Sequence, residues 1–159
     1  MTSNIPDWAA ALGRIPSGLF ILSARKERQE TGVLVSWVQQ CSFQPPLVTL
    51  ALKRGRYIAD WLRSGAAGTL NILDESQTNM ISHFGRGFDP DEDAFCELNV
   101  IRREAQATIL AEAVAYLDVR PEQHIPAGDH DLFLMRVLDG RVLSTGRPMV
   151  HIRKSGLHY

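Results

Sequence analysis

Residues 32–52 read GVLVSWVQQCSFQPPLVTLAL. The stretch alternates and runs apolar, as strands do. Its middle, Ser36-Trp37-Val38-Gln39-Gln40-Cys41-Ser42, is crowded with hydrogen-bonding groups. Pro45 and Pro46 follow, and then an apolar run from 47 to 52. Neither proline has a backbone N–H, so the pair cannot sit in a central ladder and marks a corner. The stretch therefore reads as two core-grade strands, 32–43 and 47–53, with polar groups gathered at their join. One reading of those groups is a barrel strand with a polar outer face. The other is a cradle. A flat heteroaromatic ring needs N–H groups and small hydroxyls along one edge, and apolar walls above and below. Ser36, Gln39, Gln40 and Ser42 suit the edge, and Trp37 offers a stacking surface or a rim.

The chain has 159 residues, 45% of them hydrophobic. That is one globular domain, spanning 1–159, which buries roughly 70% of its unfolded surface without a staple. The formal charge of −1 excludes the basic excess that nucleic acid or an anionic membrane selects. Cys41 and Cys96 read as a pair of cytosolic thiols, with a disulfide as the alternative. The first 15 residues lack a basic region followed by an apolar core, and no run reaches the 18 or so apolar residues of a membrane span. The expectation is a soluble cytoplasmic protein.

Working outward, residues 6–12 form a short helix, with Asn4 as candidate cap and Gly13 as stop. A strand at 18–24 leads into a charged connection over 25–31. The 56–63 stretch, RYIADWLR, has helical spacing, with Tyr57, Ile58, Trp61 and Leu62 on one face. A strand at 69–73 precedes a helix beginning at Ser76, and 86–93 is a loop with an acidic run. Strands follow at 113–119 and 132–138, separated by the turn 126–129. Asp139-Gly140 signals a two-residue hairpin that pairs 141–144 back. The last strand is 149–153. Many short strands without a regular βαβ alternation predict a mainly β fold, an antiparallel barrel.

Three further features carry chemistry. Lys53-Arg54-Gly55-Arg56 sits between an apolar strand and a helix start. It is either a solvated basic turn or a phosphate site. Gly128-Asp129-His130 is either a plain turn or the setting of a functional histidine. The tail HIRKSGLHY brings His151, Arg153 and Tyr159 together. No spacing suits a metal, and no GxSxG context suits a serine hydrolase.

Taken in order, GVLVSWVQQCSFQPPLVTLAL, Asn71-Ile72-Leu73, His83-Phe84, Gly128-Asp129-His130 and HIRKSGLHY resemble the flavin reductase-like family, especially the flavin reductase module of diflavin flavoproteins. The resemblance implies an FMN-binding split β-barrel with Greek-key topology and short flanking helices. It implies that Ser36, Trp37, Val38 and Gln39 face the isoalloxazine, and that Ala51, Leu52, Lys53 and Arg56 follow the ribityl chain and phosphate. His130 matches the family histidine near the ring, with Arg153 and Tyr159 bordering the nicotinamide site. The implied reaction is hydride transfer from NADH or NADPH to FMN, or to FAD, with His130 as a positioning residue. A homodimer is implied, and Trp8, Trp61, Phe84 and Phe88 are the apolar supply for its interface. A downstream redox protein is a further implied partner. One position departs: the family's D-[KR]-F reads Asp93-Ala94-Phe95, so a cation near flavin or dinucleotide is missing. The alternative function is an FMN-binding electron-transfer protein without a productive dinucleotide site. A barrel with a vestigial pocket, serving only to dimerise, is the third.

Overall fold

The computed structural model describes residues 4–159. The chain runs α1 (Asp7–Gly13), β1 (Ser17–Gly18), β2 (Phe20–Lys26), β3 (Gln29–Val35), β4 (Val38–Ser42) and β5 (Leu47–Lys53). Then come α2 (Tyr57–Arg63), β6 (Gly68–Ile72), α3 (Asn79–Gly85), β7 (Val100–Ile101) and β8 (Ile109–Leu110). It ends with β9 (Ala115–Ala127), β10 (His130–Val142) and β11 (Val150–His151). Seven strands form one antiparallel sheet in the order β3-β2-β6-β9-β10-β5-β4. Strands β5 and β6 follow each other in sequence yet are separated by β9 and β10, which is a Greek-key arrangement. No described helix is long and apolar enough to cross a membrane.

The stretch 32–43 is not one strand. It breaks at Ser36-Trp37 into β3 and β4, which are the two edges of the sheet. Three residue steps reach at most about 11 Å, so the sheet must curl until its edges nearly meet. The chain itself closes the barrel there, and no ladder joins β3 to β4. The result is a split barrel. The Trp37 carbonyl already accepts from the Ala51 N–H (3.0 Å), which carries the β4–β5 register up to the break.

Of the two expected turns, one forms and the other does not. Asp139-Gly140 lies inside β10, opposite Asp118 and Leu117, and makes no hairpin. Gly140 is there for close approach: a Cβ would stand 2.7 Å from the Tyr116 carbonyl oxygen. The true hairpin turn is Gly128-Asp129, with Gly128 at φ +65°. Strand β9 runs on through Pro121 and Pro126, so the turn expected over 126–129 narrows to its last two residues. Its far half escapes the proline penalty because β6 pairs only with Ala115–Val119, so one side of β9 is an edge beyond that point. A bulge between Leu134 and Met135 absorbs the irregularity opposite Pro121.

Smaller differences have local causes. Strands β2 and β3 extend into the expected connection and leave only Glu27-Arg28 as the turn. Helix α3 starts at Asn79, not Ser76, because the Asp74 carboxylate accepts from the Ser76 N–H and hydroxyl and holds a turn. Asn4 does not cap α1; Pro6 holds the cap position. The final strand shrinks to β11, paired with β1.

Two apolar clusters follow from strand alternation. Leu22, Val33, Val35, Leu50, Leu52, Phe133 and Met135 fill the barrel beneath Ile58, Trp61 and Leu62 of α2. Leu19, Ile21, Leu73, Met80, Phe84 and Phe95 form a second cluster outside it. Strand β2 is buried on both faces, which explains its uninterrupted apolar run. Trp61 and Phe84 are buried in these clusters and offer no free surface, against the expectation for an interface. Trp8 alone of the four is openly exposed, and Phe88 packs partly buried on the second cluster.

Candidate functional site

The end of β3, the Ser36-Trp37 break and the end of β5 open into a cavity of about 200 Å³. Leu19, Val33, Val35, Leu52, Ile81 and Phe84 supply apolar walls. Ser36, Trp37, Lys53 and Arg56 supply the polar edge. Arg56 and Val33 also line a neighbouring groove of about 420 Å³ that runs past Gly55, Tyr57, Arg86 and Gly87. Gly55 and Gly87 both have positive φ. A Cβ on Gly87 would stand 2.8 Å from an Arg56 Nη, so the guanidinium lies directly over bare backbone.

The groove is not uniformly positive, since Asp89 and Glu92 also line it. Arg86 stacks on Phe88 at 4.0 Å and sits 3.8 Å from Glu92. Lys53 and Arg56, by contrast, make no salt bridge among the described residues. Helix α2 is seven residues long, so its dipole adds little, and these cations carry any attraction for an anion.

Antiparallel register brings the histidine turn to this place. His130 lies opposite Lys53, and Asp131 lies opposite Leu52. The Arg54 N–H donates to the Asp129 carbonyl (3.1 Å), tying the two turns together. Asp131 is buried, and its carboxylate accepts from Arg63 (2.6 Å) and Arg54 (3.2 Å). The hydrogen bond from Arg63 is the main reason its carboxyl is held below the ordinary range. A depressed folded value adds stability that is complete above the unfolded value of about 3.9 and is lost as pH falls through the folded one. Asp131→Asn is therefore expected to lose about 1–3 kcal/mol at pH 7, discounted because both arginines are partly exposed. Urea unfolding should show that gap closing below about pH 4; an equal gap at pH 3 and 7 would refute the assignment.

His130 itself is buried. Its Nδ1–H donates to the Asp129 carboxylate (2.7 Å), which leaves Nε2 to accept from the Tyr159 O–H (2.5 Å). The same hydrogen bond from His130 holds the exposed Asp129 carboxyl below its usual range. The Trp37 ring lies 4.7 Å from His130 and 5.5 Å from Tyr159, and the Arg153 guanidinium stands 5.0 Å from its centre. Although the residue as a whole is largely exposed, desolvation of its phenol end beside His130 raises the Tyr159 phenol, helped by the nearby Asp129 charge.

Of the expected residues, the cavity gathers Ser36, Trp37, Ala51, Leu52, Lys53, Arg56 and Tyr159. His130 and Arg153 join through their contacts with Trp37 and Tyr159. Val38 and Gln39 go elsewhere. They line a separate apolar cleft with Phe20, Leu47 and Val137, because the break at Ser36-Trp37 turns β4 away. His151, named with the tail, also lines the cavity, whereas Leu19, Ile81 and Arg86 were not anticipated as site residues. No local pattern marks these three: Leu19 comes from the link between β1 and β2, Ile81 from α3 and Arg86 from the end of that helix. Ala94, where a cation was missing, is fully buried against Phe95, and its carbonyl is 2.8 Å from His83 Nε2. Among the described residues no cluster suits a metal ion.

The model of the family described as "Flavin reductase like domain" matches residues 12–156. Diflavin flavoprotein A 1 of Synechocystis sp. is 35% identical over 155 residues, covering 96% of this chain and 27% of that protein. The chain thus spans about a quarter of the length of the curated relatives it matches. Among solved structures, the NADH:FAD oxidoreductase SgcE6 of Streptomyces globisporus superposes with TM-score 0.82 at 22% identity, covering 90% of this chain and 85% of that one. The styrene monooxygenase flavin reductase of Pseudomonas putida S12 gives 0.77 at 25% identity, covering 92% and 93%.

Proposed function

Because the chain belongs to the flavin reductase like domain family, we propose that it is an oxidoreductase that binds FMN and reduces it with a hydride from NADH or NADPH. One observation carries this: an apolar cavity whose polar edge bears Lys53 and Arg56, neither in a salt bridge among the described residues, adjoins a further groove at Arg56. That donor set fits a planar ring followed by a phosphate. Ser36 and the Trp37 backbone suit the polar edge of the ring. Arg56 and Lys53 suit the phosphate, and the same groove has room for the longer arm of FAD.

Bound flavin supplies the hydride acceptor. The protein's part is positioning, since a hydride moves between two rings held face to face without a general base. The apolar walls keep water out. His130 presents an acceptor at Nε2, because Asp129 occupies Nδ1. Arg153 and Tyr159 border the donor's place. A homodimer belongs to the reading. Trp8, Ile15, Val150 and Ile152 are exposed on α1, the link after it, β11 and the residue beyond, and form the surface proposed for pairing.

Arg56→Ala is expected to weaken FMN binding by about 1–3 kcal/mol, the scale of a lost charged hydrogen bond, and to leave riboflavin binding nearly unchanged. An equal loss for both flavins in fluorescence titrations would remove Arg56 from the phosphate site. The reading as a whole is tested by saturating the protein with FMN, removing the excess, and adding NADH and then NADPH without oxygen. Bleaching by either nucleotide supports it. Retained colour that bleaches only with dithionite favours the electron-transfer protein, the reading that the buried Ala94 in place of a cation also favours. If no colour is retained, turnover with excess FMN decides the matter.

A further inference from the structure

The segment 152–159 packs back along α1 and brings Tyr159 to the lining of the cavity. Its backbone is anchored where the Arg153 N–H donates to Gly13 (3.0 Å) and the Gly156 N–H donates to Ala9 (2.6 Å). Gly156 rests on Leu12 so closely that a Cβ would stand 2.4 Å from the Leu12 Cβ. The Leu157 N–H turns back onto Ser155 Oγ (3.2 Å). Beyond that anchor, Tyr159 is fastened through its side chain: its O–H donates to His130 Nε2, and its ring lies against Trp37. The residue is otherwise 70% exposed. A side chain fixed in the site by one hydrogen bond, on an otherwise exposed residue, is weakly fastened.

We propose that Tyr159 is a gate whose phenol holds the place beside His130 and Trp37 that the nicotinamide ring of the hydride donor takes during turnover. The proposal rests on the reading of the site given above. The two groups match in chemistry. Each is a planar six-membered ring bearing a group that donates to an acceptor, the phenol through O–H and the nicotinamide carboxamide through N–H. Asp129 occupies Nδ1, so His130 offers Nε2 to one donor at a time. The residues between the Gly156 anchor and Tyr159 are the hinge. Binding of the donor must then displace the phenol, and its apparent affinity is reduced by the fraction of closed gate.

Two variants separate the gate from a platform that merely supports the donor. Tyr159→Phe keeps the ring and removes the fastening; Tyr159→Ala removes both. The KM for the active nucleotide is expected to fall about threefold in Tyr159→Phe and about tenfold in Tyr159→Ala, as the closed fraction vanishes. An unchanged or raised KM in both overturns the gate. A second readout needs no turnover. In the flavin-free protein, the ¹⁵N resonances of the His130 ring should differ between wild type and Tyr159→Phe, because Nε2 loses its donor. Identical resonances also overturn it. If wild type and both variants bind FMN but oxidise neither NADH nor NADPH, the hydride-transfer reading falls and the gate falls with it. Turnover with an unchanged KM sinks the gate alone.

Discussion

Phe84→Ala is expected to destabilise the protein by about 3–5 kcal/mol, the largest effect of any substitution considered. Phe84 is wholly buried at the seam of two structures. On one side it packs with Phe95 and Phe88, each 5.8 Å away between ring centres, and on Gly32 of β3. On the other it walls the cavity. Truncation leaves a hole between α3 and the barrel that neither side readily fills, since β3 is held by its ladder to β2 and α3 by its own helical hydrogen bonds. For a domain of this size the midpoint of thermal unfolding should fall by roughly 10 °C or more. Phe84→Leu, which keeps most of the volume, should cost less than half as much. A loss under about 1 kcal/mol for Phe84→Ala would mean that α3 is not bound to the barrel as described.

His130→Ala is expected to slow flavin reduction at saturating nucleotide by about a hundredfold, the scale of a misplacement near 1 Å, while FMN stays bound. The imidazole is not part of the apolar wall. It touches Trp37 and Tyr159 and is oriented from behind by Asp129. Its loss also unfastens Tyr159, but at saturating nucleotide that effect disappears and only positioning remains. Stopped-flow bleaching of bound FMN measures the rate, and a flavin titration of the same variant measures retention. Loss of FMN would move His130 into the flavin site. His130→Gln, which can still accept a hydrogen bond, should recover part of the rate; a structural role alone predicts no such recovery.

The site was legible in pieces. Lys53 and Arg56 stood out as a cationic turn after an apolar strand, and the Asp129-His130 pair stood out as a turn with an imidazole. Nothing in either segment states that they meet. Their meeting is a matter of register, with His130 placed opposite Lys53. Ladder register is fixed by packing on both faces of the sheet. Ile81 and Arg86 were invisible for a related reason. They enter from α3 and the loop after it, and α3 packs on β3 because Gly32 leaves room for Phe84.

The alternation of apolar residues, the proline corner and the glycine turns by themselves determined a mainly β chain, most of its strand positions and the residue types of the site. These are local properties, written in periods of two and in backbone preferences. Only the tertiary structure decided that 32–43 breaks at Ser36-Trp37, which of two turn signals becomes a hairpin, and which way Val38 and Gln39 point. Each depends on what the far end of the sheet does. The sheet's two edges are neighbours in sequence and must meet in space, and no local pattern carries that closure.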